Sequence, residues 1–120
     1  MISVMKSIRL LCFAITNVTV GAIVVSSVIV SNNIYAKEIV VEIYKKKFIP
    51  AEITIEQGDT VIWKNIEKRQ YHNVWFKQFD KEEPDYLFPD DTYQKTFNKK
   101  GQFPYECGPH PKMTGMVTVN

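Results

Sequence analysis

Cysteine is scarce in this chain of 120 residues, and so is helical patterning. There are two cysteines, Cys12 and Cys107. Cys12 lies in an uncharged apolar run, which leaves Cys107 alone in the rest of the chain and excludes a disulfide framework there. No segment after residue 36 repeats apolar side chains at helical spacing over three turns, which argues against a helical bundle. Internal repeats and low-complexity tracts are also missing. Average apolar and charged fractions fit an ordinary globular domain rather than a disordered chain.

An excess of basic charge is missing too, once the N-terminus is set aside. The first 36 residues hold Lys6 and Arg9 and no acid, so the 15 basic residues of the chain fall to 13 beyond them, matching 13 acids. Zero net charge over residues 37–120 gives no footprint for nucleic acid. Leu10 to Val30 carries no charge at all. A positive head, that apolar run and the small residue Ala36 in "NNIYAKEIV" have the three parts of a secretory signal peptide, with cleavage expected before Lys37. The expected organisation is a leader over 1–36 and one domain over 37–120, exported to the periplasm or another extracytoplasmic space. An uncleaved membrane anchor remains open, because the apolar run is near the span of a bilayer.

Beyond Lys37 the chain reads as short β-type runs between turn signals. "EIVVEIY", "EITIEQ", "TVIWKN", "YHNVWFKQF", "TYQKTF", "FPYEC" and "GMVTVN" are expected strands, with Pro50 and Gly58–Asp59 among the breaks. The fold class expected is all-β, a small antiparallel sandwich or barrel of seven or eight strands. Val40, Ile53, Ile55, Val61, Trp63, Val74, Phe97, Val117 and Val119 form the expected core. So small a domain without a disulfide has a marginal core, and a bound metal is one source of further stability.

The chemistry concentrates in "YECGPHPKMTGMVTV". Cys107, His110 and Met113 each stand three positions from the next, and Pro109 and Pro111 stiffen the loop between them. His72, in "RQYHNVWF", is the one other histidine. Taken singly, Cys107 reads equally as an inert thiol, Met113 and Met116 as core fillers, and His72 as a structural histidine. Together, one thiolate, two imidazoles and a thioether suit copper. Structural zinc rarely takes Met, and calcium or magnesium want oxygen. Soft sulfur favours Cu(I), imidazole favours Cu(II), and His2Cys with a weak axial Met is a blue-copper donor set. A nucleophilic Cys107 with His110 as base lacks an orienting carboxylate in the loop, so no enzyme is expected.

"CGPHPKM" with "GMVTV" after it and "GQFPYE" before it resembles the C-terminal ligand loop of the cupredoxins. "YHNVWF" resembles the strand that carries their first histidine. The likeness extends through "PAEITIEQGDTVIWKN" and "LFPDDTYQKTF", and the loop length is similar to that of the amicyanin group. The resemblance implies an eight-stranded Greek-key sandwich with one type 1 copper held by His72, Cys107, His110 and axial Met113. Met116 is the competing axial residue, but it falls in the alternating strand. Asn73 is implied to tie the two ligand segments together and to sit near the thiolate. Tyr71 departs from the proline often found before the first histidine in the family.

The function implied is carriage of single electrons between redox proteins, the donor and acceptor being a cytochrome, dehydrogenase or oxidase. They would meet a monomer transiently at an apolar patch around His110, Pro109 and Pro111, with Phe48 or Pro50 nearby and a rim drawn from Glu82, Glu83, Asp85, Asp90 and Asp91. The resemblance also implies that His110 can protonate and leave Cu(I) at mildly low pH. An exported copper chaperone or storage protein stays open as an alternative, as does a redox subunit anchored through residues 10–30.

Overall fold

Two facing sheets are built from seven strands whose order along the chain explains which loops meet at one end. The computed structural model describes residues 21, 23–31 and 35–120, so most of the expected leader lies outside the described residues. Residues 23–31 have no regular secondary structure. No helix among the described residues is long and apolar enough to cross a membrane.

β1 (Glu38–Tyr44), β2 (Lys47–Ile49), β4 (Thr60–Asn65) and β5 (Thr92–Thr96) form one sheet in the order β2-β1-β4-β5. β3 (Glu52–Ile55), β6 (Gly101–Glu106) and β7 (Thr114–Val119) form the other, in the order β3-β7-β6. The all-β sandwich is as expected, but the pairing is mixed: β1 with β4 and β3 with β7 run parallel. The cause is a change of sheet after β2, where Pro50 interrupts the chain. β3 joins the second sheet, and β4 then returns to lie alongside β1.

Two strand expectations need correction. The run "KFI" forms β2, closing a hairpin whose two turn residues, Lys45 and Lys46, have φ of 50° and 55°. Positive φ at both positions is the conformation of a type I′ turn, which matches the twist of the flanking strands. Residues 71–79 form no named strand. Only His72↔Leu87 and Trp75↔Glu106 pair, as isolated bridges, and the chain then turns on itself where Phe79 N and Asp80 N both donate to Phe76 O.

Trp63 lies at the centre of the core, fully buried, with Tyr105 of the opposite sheet edge-on at 5.4 Å and Phe76 at 5.9 Å. Tyr105 pairs across strands with Gly115, and its ring occupies the space that a Cβ on residue 115 would need. Ile55, Val61, Val74, Phe97, Val117 and Val119 are buried as expected, and Ile53 packs partly buried against them. Val40 is not: it is 52% exposed, while Val41 and Ile43 are fully buried. Three consecutive apolar residues, Ile39 to Val41, hide the phase of a period-2 strand, and the parallel pairing to β4 selects it. Phe48, expected near a surface patch, is buried edge-on to Tyr105 at 4.7 Å.

The register of β1 is directly testable. Val41→Ala is expected to cost about 2 kcal/mol in urea denaturation, whereas Val40→Ala changes stability by less than about 0.5 kcal/mol. Equal costs at the two positions would contradict the pairing described.

Candidate metal centre

Three loops converge at one end of the sandwich. The first follows β4, the second joins the His72 segment to β5, and the third links β6 to β7. The third is the most tightly wound. His110 N donates to Cys107 O at 3.1 Å, Met113 N to His110 O at 2.8 Å, and Cys107 N to Met113 O at 3.0 Å. Two successive turns thus fold Cys107 to Met113 back on themselves, and Pro109 and Pro111, each with φ fixed by its ring, leave the loop few alternatives.

His72 is held from a different part of the chain. Its N–H donates to Leu87 O at 3.1 Å and its carbonyl accepts from Leu87 N at 2.6 Å. Asn65, fully buried at the end of β4, secures this bridge: its amide donates to Gln70 O at 2.8 Å and to Leu87 O at 2.9 Å. Its own Oδ1 accepts from Glu67 N at 3.0 Å.

These supports bring the expected residues together. Cys107 Sγ stands 3.7 Å from His72 Nδ1 and 3.6 Å from His110 Nδ1, and the ligand atoms of all three lie within 4.8 Å of one another. An ion bound at about 2.0 Å from nitrogen and about 2.3 Å from sulfur, at angles between tetrahedral and trigonal, sets N···S at about 3.5 to 3.7 Å. The pocket already has that spacing. Cys107 and His72 are fully buried, Met113 is 4% exposed and His110 is half-buried. Met116 pairs with Glu52 in the β7–β3 ladder and lines a different cavity with Ala51 and Pro104.

Burial favours the neutral form of both His72 and Cys107. Burial, reinforced by His110, holds His72 below its ordinary 6.5, with Glu67 acting in the opposite direction. The imidazole is therefore neutral, as a ligand must be. Its Nε2 is buried without a hydrogen-bond partner, and the acceptor that it faces is Glu67 Oε1 at 3.7 Å. That distance is long for a full bond, but it favours the proton on Nε2 and leaves Nδ1 free to coordinate. Burial pushes the Cys107 thiol up, while the backbone N–H groups of Asn73 and His110 draw it down. A metal would displace the thiol proton.

Asn73 stands between the two segments. Gly108 N donates to Asn73 Oδ1 at 2.7 Å, tying the two ligand segments together. Glu83 and Pro84 complete the amide, accepting from Asn73 Nδ2 at 2.9 and 3.2 Å. A Cβ on residue 108 would collide with the Glu83 carboxylate, which would have to leave Asn73 to make room.

The surface beside His110 differs from the expected one. A cavity of about 370 Å³ is lined by Lys46, His110, Pro111, Lys112 and Met113, so its edge is cationic rather than acidic, and Phe48 and Pro50 do not line it. Glu83, expected on the rim, is bonded to Asn73. Tyr71, which stands where a proline is common, stacks with Tyr86 at 4.9 Å and Phe88 at 5.9 Å in an exposed aromatic trio. Glu67, Lys46 and Asn65 are contributors that sequence reading missed, and for Glu83 it missed the bond to Asn73. Only Asn65 gave a signal, as an amide ending an apolar strand.

The sequence profile described as "Copper binding proteins, plastocyanin/azurin family" matches residues 35–120. The chain is 41% identical over 88 residues to amicyanin of Paracoccus versutus, covering 70% of this chain and 66% of that protein. It is 41% identical over 83 residues to amicyanin-alpha of Methylorubrum extorquens, covering 66% of this chain and 69% of that one. The matched region thus spans about two thirds of these relatives' length. Among solved structures, amicyanin from Paracoccus versutus superposes with a TM-score of 0.63 at 36% identity, covering 73% of this chain and 86% of that one. The donor set, its spacing and these likenesses agree, and the chain belongs to the plastocyanin/azurin family of copper-binding proteins, with copper as its metal.

Proposed function

We propose that this protein is an exported type 1 copper protein that carries single electrons between redox partners, with His72, Cys107, His110 and axial Met113 as the ligands. The observation that carries the reading is the convergence of two Nδ1 atoms on one buried thiol at 3.6 and 3.7 Å. Bound copper supplies a one-electron Cu(II)/Cu(I) couple. The chain's own contribution is rigidity. Two turns, two prolines and the Asn73–Gly108 bond keep the ligands in one arrangement, so that little must rearrange when the charge of the site changes by one.

The same residues divide the site into a closed side and an open one. His72 and Cys107 are fully buried, while His110 lines a surface cavity with Pro111 and the nearly buried Met113. The contact for a donor or acceptor is therefore assigned to His110. Lys46 and Lys112 flank it, which suits a redox partner with carboxylates around an apolar centre, in a small transient interface. Lys46 is held there by the positive-φ hairpin turn and by its N–H, which donates to Glu67 Oε1 at 3.1 Å. Export follows from the leader over 1–36. Ile23 and Ile29, 82% and 84% exposed, belong to an apolar segment that needs either removal or a bilayer.

Addition of Cu(II) is expected to give an intense thiolate-to-copper band at about 600 nm, absent in Cys107→Ser. Met113→Ala should alter that spectrum and Met116→Ala should leave it unchanged. A colourless protein that takes up zinc would overturn the reading, and a spectrum sensitive to Met116 alone would overturn the axial assignment.

Two pH effects follow from burial. His72 lies below 6.5 and Cys107 above 9.0 in the metal-free fold. The unfolded chain therefore protonates its histidine first on acidification and ionises its thiol first on alkalinisation. Stability of the metal-free protein, read as the urea midpoint, should fall on either side of the 6.5–9.0 window. A midpoint constant through 6.5 would contradict a buried neutral His72.

A further inference from the structure

Asp59 has no role in the copper site, yet it is an unusual residue. It is 5% exposed, in the turn between β3 and β4. Its two oxygens are each given to one backbone amide: Lys37 N donates to Oδ1 at 2.9 Å and Glu56 N donates to Oδ2 at 2.9 Å. No ion pair within 4.0 Å reaches it among the described residues, where the pairs formed are His72–Glu67 and Lys77–Glu106. Those two amide donors hold its carboxyl below the usual value, with a smaller contribution from the Lys37 side-chain charge, so it is ionised and its direct partners are neutral N–H groups. Lys37 is also gripped on its other side, since Thr60 N donates to Lys37 O at 2.9 Å. Tyr35 and Ala36, immediately upstream, are exposed. Lys37 N is thus the first backbone group before β1 to be held by the sandwich, and what holds it is a charged side chain rather than a strand carbonyl.

Lys37 is also the residue before which the leader reading places the cut. We propose that Asp59 is a receptor for the α-ammonium group created at Lys37 by cleavage of the Ala36–Lys37 bond. The inference rests on the leader reading and is independent of the copper. Hydrolysis of that peptide bond adds water across it, leaving a carboxylate on Ala36 and an ammonium on Lys37. A neutral amide donor facing Asp59 becomes a cationic one at the same position. The buried charge gains its counter-ion, and a neutral–ionic hydrogen bond becomes one with charge on both partners. Processing and folding are thereby linked: the sandwich is completed electrostatically only once the leader is removed.

The test compares copper-loaded protein starting at Lys37 with the same protein extended by Tyr35 and Ala36, each with Asp59 and with Asp59→Asn. Mass spectrometry of protein exported with its own leader is expected to give Lys37 as the first residue. In urea denaturation, the Lys37 start should raise the folding equilibrium constant about tenfold over the extended chain when Asp59 is present. With Asp59→Asn that difference should vanish. The two Asp59 proteins alone decide the point if the Asn variants fail to fold. Equal stability of the two starts, or a difference that survives Asp59→Asn, overturns the proposal while leaving the leader reading standing. An exported protein with its first residue elsewhere, or an uncleaved chain, overturns both. The thiolate band reports on copper separately in every sample.

Discussion

The hydrogen bond from Gly108 N to Asn73 Oδ1 is the constraint on which the copper end depends. It joins segments that reach the site by different routes, one through the His72–Leu87 bridge and one through the turn after β6. Beside it the Glu83 carboxylate occupies the space that a side chain at residue 108 would enter, and accepts from Asn73 Nδ2. Fixing one segment against the other sets the separation of His72 from Cys107. The 3.7 Å between Nδ1 and Sγ is thus a consequence of backbone attachments as much as of the rotamers of the ligands. Positioning of this kind costs nothing further when metal binds or an electron moves.

Legibility in the sequence followed chain locality. Cys107, His110 and Met113 lie within seven residues, so their spacing carried chemistry before any fold was known, and the flanking prolines signalled stiffness. His72 was legible only beside that loop. The parts that escaped notice act across the chain. Glu83 matters through residues 73 and 108, Asn65 through the carbonyls of residues 70 and 87, and Lys46 through a two-residue turn that sets it beside His110. No local pattern distinguishes such residues from ordinary surface polar ones. The Val40 error has the same origin: an apolar triplet has no phase until a neighbouring strand supplies one.

Burial makes the pocket selective by making it uncomfortable. The thiol is pushed up and the His72 imidazole is pushed down, each toward its neutral form. A proton entering the empty pocket would meet a dry environment that disfavours charge, whereas a cation that takes both imidazoles and the thiolate satisfies three donors at once. The Nε2 atom of His72, buried without a full hydrogen bond, and the alignment of Glu67 toward it fit this description. The cost of the metal-free state is then recovered on loading, which matters for a small domain lacking a disulfide.

The two ends of the sandwich solve opposite electrostatic problems with the same device. At the copper end, neutral groups are buried so that a cation completes them. At the opposite turn, a carboxylate is buried whose direct partners are two neutral backbone amides. One cation arrives from solution, and the other, in the proposal above, from the chain itself at the residue before β1. Since β1 is a central strand paired to both β2 and β4, securing its first residue secures the register of the sheet. That sheet in turn positions Asn65, at the far end of β4, beneath the His72 bridge.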